Sequence, residues 1–318
     1  MNILITGVTG FAGQYLAEKL LEKDSNPIHG TYRSEQSLER LGDLKEKIVL
    51  HNVDIRNKDA VRDLLERTKP EQIYHLAAQT SPAESFKDPE GTLTTNIFSE
   101  LHLFQSLLEL GLMETRVVAV TTSEVYGRVE ASDLPVDEET SFRPISPYAV
   151  SKVTQDFLAY YYSHTQLLSI VRVRPFNHTG PRQQPKFVIP MFAMQIAEIE
   201  KGAKEPIMKV GNLAARKDFS DVRDIVMAYI QLMEKGKSGE SYNVGSGKSE
   251  SIKEILDTLL SFTEREITVE IDQSLFRPID VEDIYCDHTK ITELTGWEPT
   301  IPLDQTLRDT LEYFRKVI

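Results

Sequence analysis

Ile3-Leu4-Ile5-Thr6-Gly7-Val8-Thr9-Gly10-Phe11-Ala12-Gly13 is an apolar run that breaks into three glycines spaced Gly-x-x-Gly-x-x-Gly and then opens into the amphipathic stretch Ala12–Lys23. A strand ending where a helix begins leaves unpaired N–H groups and the positive end of the helix dipole facing one point, which suits a pyrophosphate. Glycine is required there because a Cβ would keep the phosphate away. A plain tight turn is the other reading of three glycines. The strand before the loop and the helix after it favour a dinucleotide site built from Gly7, Gly10, Phe11 and Gly13.

Outward from this loop the pattern repeats. Short β-branched runs at Ile3–Ile5, Ile28–Thr31, Ile48–Leu50, Ile73–Leu76, Val117–Thr121 and Leu168–Val173 read as strands. Amphipathic stretches at Lys58–Thr68, Gly91–Leu110 and Tyr148–His164 read as helices. Alternation at this spacing predicts an α/β chain of Rossmann type, a doubly wound parallel sheet covered on both faces. After Arg174-Pro175 the rhythm loosens, with Pro175, Pro181, Pro185 and Pro190 crowded ahead of helical stretches at Met191–Lys201, Ile225–Lys235, Ile252–Phe262 and Asp304–Lys316. Residues 1–175 are therefore expected to form the dinucleotide-binding domain, and 176–318 mainly a smaller substrate domain. Asn243-Val244-Gly245 reads as a strand returning to the first sheet, so segments near 218–247 interleave the two.

Composition narrows the partners. In a chain of 318 residues with 40% apolar side chains and a net charge of −13, no basic face is offered to nucleic acid or to an acidic membrane. Cys286 is the only cysteine, which excludes an intrachain disulfide and cysteine-rich zinc sites and fits a reducing cytoplasm. Met1 leads into Ile3-Leu4-Ile5 without a charged n-region, and no apolar run has membrane-spanning length. No metal site is expected. An anionic ligand would have to be held by a local cluster of Arg and Lys.

The chemistry is expected at three residues. Tyr148 and Lys152 lie one helical turn apart on one face, so the ammonium can stabilise a phenolate and bring the phenol towards neutrality. Tyr15-x-x-x-Lys19 has the same spacing, but it lies in the first helix beside the glycine loop. Thr122 separates the two: it closes the Val117–Thr121 strand at the carboxyl edge, where ligands of such sheets bind. At the end of the second strand Thr31-Tyr32-Arg33-Ser34 stands where an NAD site carries a carboxylate for the ribose 2′-hydroxyl. A carboxylate would repel a 2′-phosphate and Arg33 would pair with it, so NADP(H) is preferred. NAD(H) stays possible if Arg33 is merely solvated and Glu35 reaches a ribose. Asp54-Ile55 either lines an adenine pocket or closes the third strand as a cap.

Two patterns are set aside. Gly247-Lys248-Ser249 resembles the end of a P-loop, but position 242 is Tyr rather than Gly. Asn177-His178-Thr179 fits a glycosylation acceptor, yet without a signal segment it reads better as the wall of a site.

Leu76-Ala77-Ala78-Gln79, Thr122-Ser123-Glu124-Val125-Tyr126-Gly127, Pro147-Tyr148-Ala149-x-Ser151-Lys152 and Tyr242-Asn243-Val244-Gly245 join the glycine loop in a wider pattern. Over essentially its whole length the chain resembles the extended short-chain dehydrogenase/reductases that act on nucleotide sugars. Arg174–Pro181, Val210-Gly211-Asn212-Leu213 and Asp218–Asp224 make it similar to the GDP-mannose branch. The resemblance implies that Leu76, Ala77 and Ala78 flank the cofactor. It further implies that NADPH reduces C4 of a GDP-linked 4-keto-6-deoxy hexose while Tyr148 donates the proton, helped by Thr122, and that Lys152 holds the nicotinamide ribose and lowers the Tyr148 pKa. Asn177 would contact the hexose or its first phosphate, with Asn212 nearby, and Arg216 and Arg277 would clamp the diphosphate. Arg182, Lys186 and Arg223 are weaker candidates. Glu124 leaves the reaction open, because in dehydratases of the branch the matching carboxylate removes the C5 proton. A cofactor-sensing binding protein without turnover is the alternative of another class, and the presence of Thr122, Tyr148 and Lys152 together argues against it. Gly91–Leu110 and Tyr148–His164 resemble the helix pair through which members of this family form a homodimer.

Overall fold

A computed structural model describes residues 1–23, 26–276, 279 and 281–318. The first half runs β1 (Ile3–Thr6), α1 (Phe11–Lys23), β2 (Ile28–Tyr32), a short α2 (Glu35–Leu38), β3 (Val49–Asn52), α3 (Lys58–Thr68), β4 (Gln72–His75), a short α4 (Pro82–Lys87), α5 (Pro89–Glu109), β5 (Arg116–Val120), α6 (Pro147–His164) and β6 (Ser169–Pro175). The second half adds β7 (Asn177–Thr179), α7 (Val188–Glu200), β8 (Ile207–Val210), β9 (Arg216–Lys217), β10 (Phe219–Asp221), α8 (Val222–Lys235), β11 (Ser241–Val244), β12 (Glu250–Ser251), α9 (Ile252–Leu260), β13 (Thr268–Ile271), β14 (Asp283–Ile284), α10 (Thr289–Thr295) and α11 (Leu303–Val317).

Seven strands form one parallel sheet in the order β11-β6-β5-β4-β1-β2-β3. This is the Rossmann-type, doubly wound sheet that the alternation predicts. Its strands read as continuous apolar runs because both faces are covered. Along β1, Ile3 and Ile5 enter a core with Leu16, Leu20, Tyr229 and Trp297, while Leu4 enters the opposite core with Leu103, Phe104 and Tyr162. β5 divides the same way, Val118 to one side and Val117 and Ala119 to the other. Each fully buried valine or leucine contributes about 1.5–3 kcal/mol, so the period-2 assignment fixes the register. A further core joins α7, β8, α9 and α11 through Phe192, Ile196, Met208, Leu256, Leu311 and Phe314.

Because all seven strands are parallel, the segments leaving their carboxyl ends lie along one edge: Gly7 after β1, Arg33 after β2, Leu76 after β4, Thr122 after β5 and Phe176 after β6. The sheet order reverses between β1 and β4, and the crevice opens there. α8 and β11, from within the 218–247 stretch, pack on and extend this same sheet. The sequence pattern did not reveal α2, α4 or α10. They are four, six and seven residues long, too short to show a 3.6-residue period.

Candidate active site

The loop after β1 is built by close approach. Gly7 sits at φ +70°, and a Cβ there would lie 2.9 Å from the Ala77 Cα. Its N–H donates to Thr31 Oγ1 at 2.9 Å, fastening β1 to the end of β2. A Cβ on Gly13 would meet the Gly7 carbonyl oxygen at 2.6 Å, which lets the first turn of α1 close against the loop. Thr6 Oγ1 accepts the N–H groups of Leu76 and Ala77 at 3.1 and 3.2 Å, and Ala78 follows, half-buried. Phe11 at the head of α1 lies parallel to the His178 ring of β7, centroids 6.1 Å apart. Among the described residues no acceptor takes the backbone N–H of Phe11, Ala12 or Gly13, so this helix start keeps donors aimed outward beside a surface of bare glycine. These residues fit a dinucleotide diphosphate.

Arg33 is exposed at the end of β2. Glu35 accepts a hydrogen bond from the Tyr32 hydroxyl at 3.0 Å. Asp54 closes its own turn: Arg56 donates Nε to Oδ1 at 2.9 Å and Nη2 to Oδ2 at 2.6 Å, and its backbone N–H also reaches Oδ1. These bonds, with the nearby Arg33 charge, hold the Asp54 carboxyl below its usual range. Ile55 is half-buried against the core on the α3 side.

α6 begins where the chemistry requires it. Ser146 Oγ accepts the Ala149 N–H at 3.0 Å, and Pro147 occupies the first helical position, so cap and proline fix the start one residue before Tyr148. Tyr148 is 6% exposed, and the Thr122 side chain lies near its phenol. Thr122 Oγ1 also accepts the Glu124 N–H at 3.3 Å, capping the turn that carries Glu124. Lys152 is 4% exposed and donates Nζ to the Val120 carbonyl at 2.9 Å. Thr122, Tyr148 and Lys152 thus converge at the end of β5. The expected lowering of the Tyr148 pKa is not what this geometry gives. Burial is the largest influence and pushes the phenol up, Thr122 pulls it down, and Glu124 pushes it up again. Burial likewise lowers Lys152.

Ser123, Glu124, Gly127, Asn177, Lys217, Val281 and Ile284 line one cavity next to this group. Asn177 Nδ2 donates to the Asp218 carbonyl at 3.3 Å. Arg216 turns elsewhere, donating Nη2 to the Ser249 carbonyl at 2.7 Å and lying 3.3 Å from Glu254. Adjacent residues of a strand point to opposite faces, so with Arg216 turned outward its neighbour Lys217 is the cation at the cavity. Arg182 is held by Glu18 of α1 in two bonds of 2.7 and 2.8 Å and lies over the Tyr15 ring. Lys186 pairs with Glu84 at 3.4 Å, and Arg223 with Asp221 and Asp309. Asn212 Oδ1 accepts the Ala214 N–H at 3.0 Å, closing a local turn. Arg277 lies outside the described residues. Tyr15 of the competing Tyr-x-x-x-Lys pair donates to the Pro181 carbonyl, and Lys19 pairs with Glu22.

Lys217 and Asn96 are among the residues of the site not found from sequence. Lys217 was hidden by its neighbour Arg216, and strand alternation was the signal that could have separated them. Asn96 of α5 accepts the Gln79 N–H at 2.8 Å and donates to Ser151 Oγ at 2.8 Å, joining the loop after β4 to α6. The P-loop-like Gly247 segment is explained by Asp218, whose carboxylate accepts the N–H groups of Ser246 and Gly247 and the Ser246 hydroxyl. Among the described residues no group of three or more His, Cys, Asp or Glu is placed to hold a metal ion, and no helix is long and apolar enough to cross a membrane.

A family profile described as GDP-mannose 4,6 dehydratase matches residues 4–310. The GDP-6-deoxy-D-mannose reductase of Pseudomonas aeruginosa is 32% identical over 310 residues, covering 98% of this chain and 96% of that protein. The GDP-mannose 4,6-dehydratase of Vibrio cholerae is 28% identical, covering 95% and 90%. Among solved structures, RMD from Pseudomonas aeruginosa complexed with NADPH superposes with a TM-score of 0.86 at 30% identity, over 100% of this chain and 99% of that one. With a profile matching nearly its full length and a relative above 30% identity, the chain belongs to the GDP-mannose 4,6-dehydratase family.

Proposed function

We propose that this chain is an oxidoreductase that uses NADPH to reduce the C4 keto group of GDP-4-keto-6-deoxy-D-mannose, giving GDP-D-rhamnose. The observation that carries the reading is that Thr122, buried Tyr148 and buried Lys152 come together at the end of β5, where Lys152 donates to the Val120 carbonyl, with the cavity of Asn177 and Lys217 beside them. Gly7, Gly10, Phe11 and Gly13 bind the dinucleotide diphosphate, Leu76, Ala77 and Ala78 flank it, and Arg33 selects the 2′-phosphate. Asp54 and Ile55 close the adenine side. The reduced nicotinamide supplies the two electrons and one hydrogen that turn the ketone into an alcohol. Tyr148 supplies the second hydrogen, as a proton to the C4 oxygen, and the raised phenol pKa suits a group that must arrive protonated. Thr122 orients that phenol, and Lys152 holds the nicotinamide ribose. Asn177 and Lys217 receive the sugar and its diphosphate, with Asn212, Arg216, Arg277, Arg182 and Lys186 as outer candidates.

Glu124 favours a second reading, since it lines the same cavity and a carboxylate there can remove the C5 proton in a 4,6-dehydration. NMR identification of the product formed from GDP-4-keto-6-deoxymannose and NADPH decides between them. GDP-D-rhamnose is expected. Conversion of GDP-mannose with catalytic NADP⁺, together with failure to oxidise NADPH in the presence of the 4-keto sugar, would overturn the reductase reading in favour of the dehydratase.

Arg33 carries a separate expectation about the cofactor. An exposed arginine at the end of β2 can pair with a 2′-phosphate, and an aspartate would repel it while accepting from a 2′-hydroxyl. Arg33→Asp is expected to lower kcat/KM for NADPH about 10- to 100-fold, the loss of roughly 1.5–3 kcal/mol carried by a charged hydrogen bond, while NADH is affected far less. Equal losses for both cofactors would remove Arg33 from this role.

The same reading includes a homodimer in the cytoplasm. Phe98 of α5 and Val150, Phe157, Tyr160 and Tyr161 of α6 are apolar and between 43% and 57% exposed, a surface that a second pair of these helices would cover. The single cysteine fits a reducing compartment.

A further inference from the structure

The segment between β7 and α7 is fastened to three different parts of the molecule. At its start the Pro181 carbonyl accepts the Tyr15 hydroxyl of α1 at 2.9 Å. Arg182 follows at φ +71°, a left-handed conformation that a residue with a Cβ holds only where its surroundings fix it. Glu18 of α1 does so: it accepts both Nη atoms of Arg182 at 2.7 and 2.8 Å, while the guanidinium carbon lies 3.9 Å from the Tyr15 ring centre. Gln184 turns its amide oxygen to Arg40, on the segment between α2 and β3, and accepts its two Nη atoms at 2.7 and 2.8 Å. At the far end Lys186 reaches Glu84 of α4 at 3.4 Å.

These partners stand on the two sides of the crevice. α1 leaves β1 and α4 follows β4, the strands between which the sheet order reverses. A segment tied to both helices therefore crosses the mouth beside the glycine loop. It sets out from His178, whose ring lies against Phe11 at the head of α1. The chain from Pro181 to Lys186 can span at most about 18 Å, so with both ends fastened it has little slack to admit a dinucleotide. The two ends are held unequally. On the α1 side stand a forked ion pair, a ring contact and a hydroxyl. On the α4 side there is one ion pair between side chains 37% and 53% exposed, the kind that contributes least in water.

We propose that residues 181–186 form a strap across the bound dinucleotide, with Glu18 the positioning residue that anchors it and the Lys186–Glu84 end the one that opens for exchange. This rests on the dinucleotide reading of the glycine loop. It also gives Tyr15 and Glu18 a task in the first helix, away from the chemistry at Tyr148. A gate and a ligand differ in their kinetics. Loosening a gate lowers one barrier that is crossed in both directions, so entry and exit quicken together and the equilibrium stays where it was.

The test follows NADPH fluorescence by stopped flow in the full-length chain, with association read on mixing and release read on a chase of excess NADP⁺. E18A frees Arg182 and is expected to raise both rates about tenfold, the weight of a charged hydrogen bond. E84Q is expected to raise both about two- to threefold, as for an exposed pair. In both variants Kd should stay at the wild-type value. Unchanged rates in E18A and E84Q overturn the strap. Faster release at unchanged association, and so a weaker Kd, also overturns it, because the segment would then be a ligand. Amide exchange of residues 182–187 in the cofactor-free chain is the second measurement, and E18A should quicken it while the core of α1 stays protected. Exchange that does not quicken removes Glu18 as the anchor. A wild-type chain that binds no NADPH is a different failure: it refutes the dinucleotide reading, and the strap's role falls with it whatever the amides show.

Discussion

Tyr148→Phe is expected to lower kcat about 10²- to 10⁴-fold, the contribution of a positioned general acid, or roughly 2.7–5.4 kcal/mol of barrier at about 1.36 kcal/mol per decade. The substitution removes one oxygen and its proton and leaves the ring volume unchanged. Thr122 keeps its bond to the Glu124 N–H, and Lys152 keeps the Val120 carbonyl, so neither partner is stranded. Thermal stability should therefore change little, and NADPH affinity, measured by fluorescence quenching, should stay within about two-fold. A loss of rate at constant affinity means that the phenol acts only in the transition state. A variant that kept more than a tenth of the wild-type kcat would show that another group delivers the proton. This variant also separates an enzyme from a cofactor-sensing protein, whose behaviour depends on binding alone and would survive the loss of the hydroxyl.

How this site could be read from sequence depends on which physical signal each residue carries. The glycine loop, Thr122 and the Tyr148/Lys152 pair were legible because strand ends and a one-turn helical spacing dictate where such residues lie. The seven-stranded sheet was legible for the same reason: β-branched runs alternate with amphipathic ones. What charge alone promised was less dependable. Arg182, Lys186, Arg216 and Arg223 look like diphosphate ligands by type, yet each is held by a carboxylate contributed from a distant or neighbouring element. Sequence carries no signal for a partner 164 positions away, as Glu18 is from Arg182. Lys217 shows the converse: an unremarkable lysine becomes the cavity's cation because a two-residue strand turns its neighbour outward.

Arg174, which opens the Arg174–Pro181 motif, has a structural task, and Asp156→Ala exposes it. Asp156 is fully buried and takes Arg172 Nη1 at 2.6 Å, Arg174 Nε at 2.8 Å and Arg174 Nη2 at 3.0 Å. One carboxylate thus serves two arginines of β6, themselves no more than 10% exposed. The Gly239 carbonyl also serves Arg172, and the Glu138 carbonyl and the Tyr126 hydroxyl serve Arg174, whose guanidinium lies 4.6 Å from the Phe142 ring centre. These neutral partners satisfy N–H groups but cannot replace a charge. Leaving buried cations uncompensated costs about 3–5 kcal/mol, which at about 2 °C per kcal/mol for a chain of this size lowers Tm by roughly 6–10 °C. Salt should restore little of it, because a dry pair is poorly screened. The exposed helical pair Lys253–Asp257, at 64% and 55% exposure, is the control: Asp257→Ala should move Tm by about a degree or less. Tyr148 and Lys152 are set by the Ser146 cap at the start of α6, so below its melting point the Asp156→Ala protein should keep kcat near wild type. A drop in Tm no larger than that of the control would mean that carbonyls and rings alone hold the two arginines of β6. In that case the carboxylate would not be what ties α6 to the strand leading to Asn177.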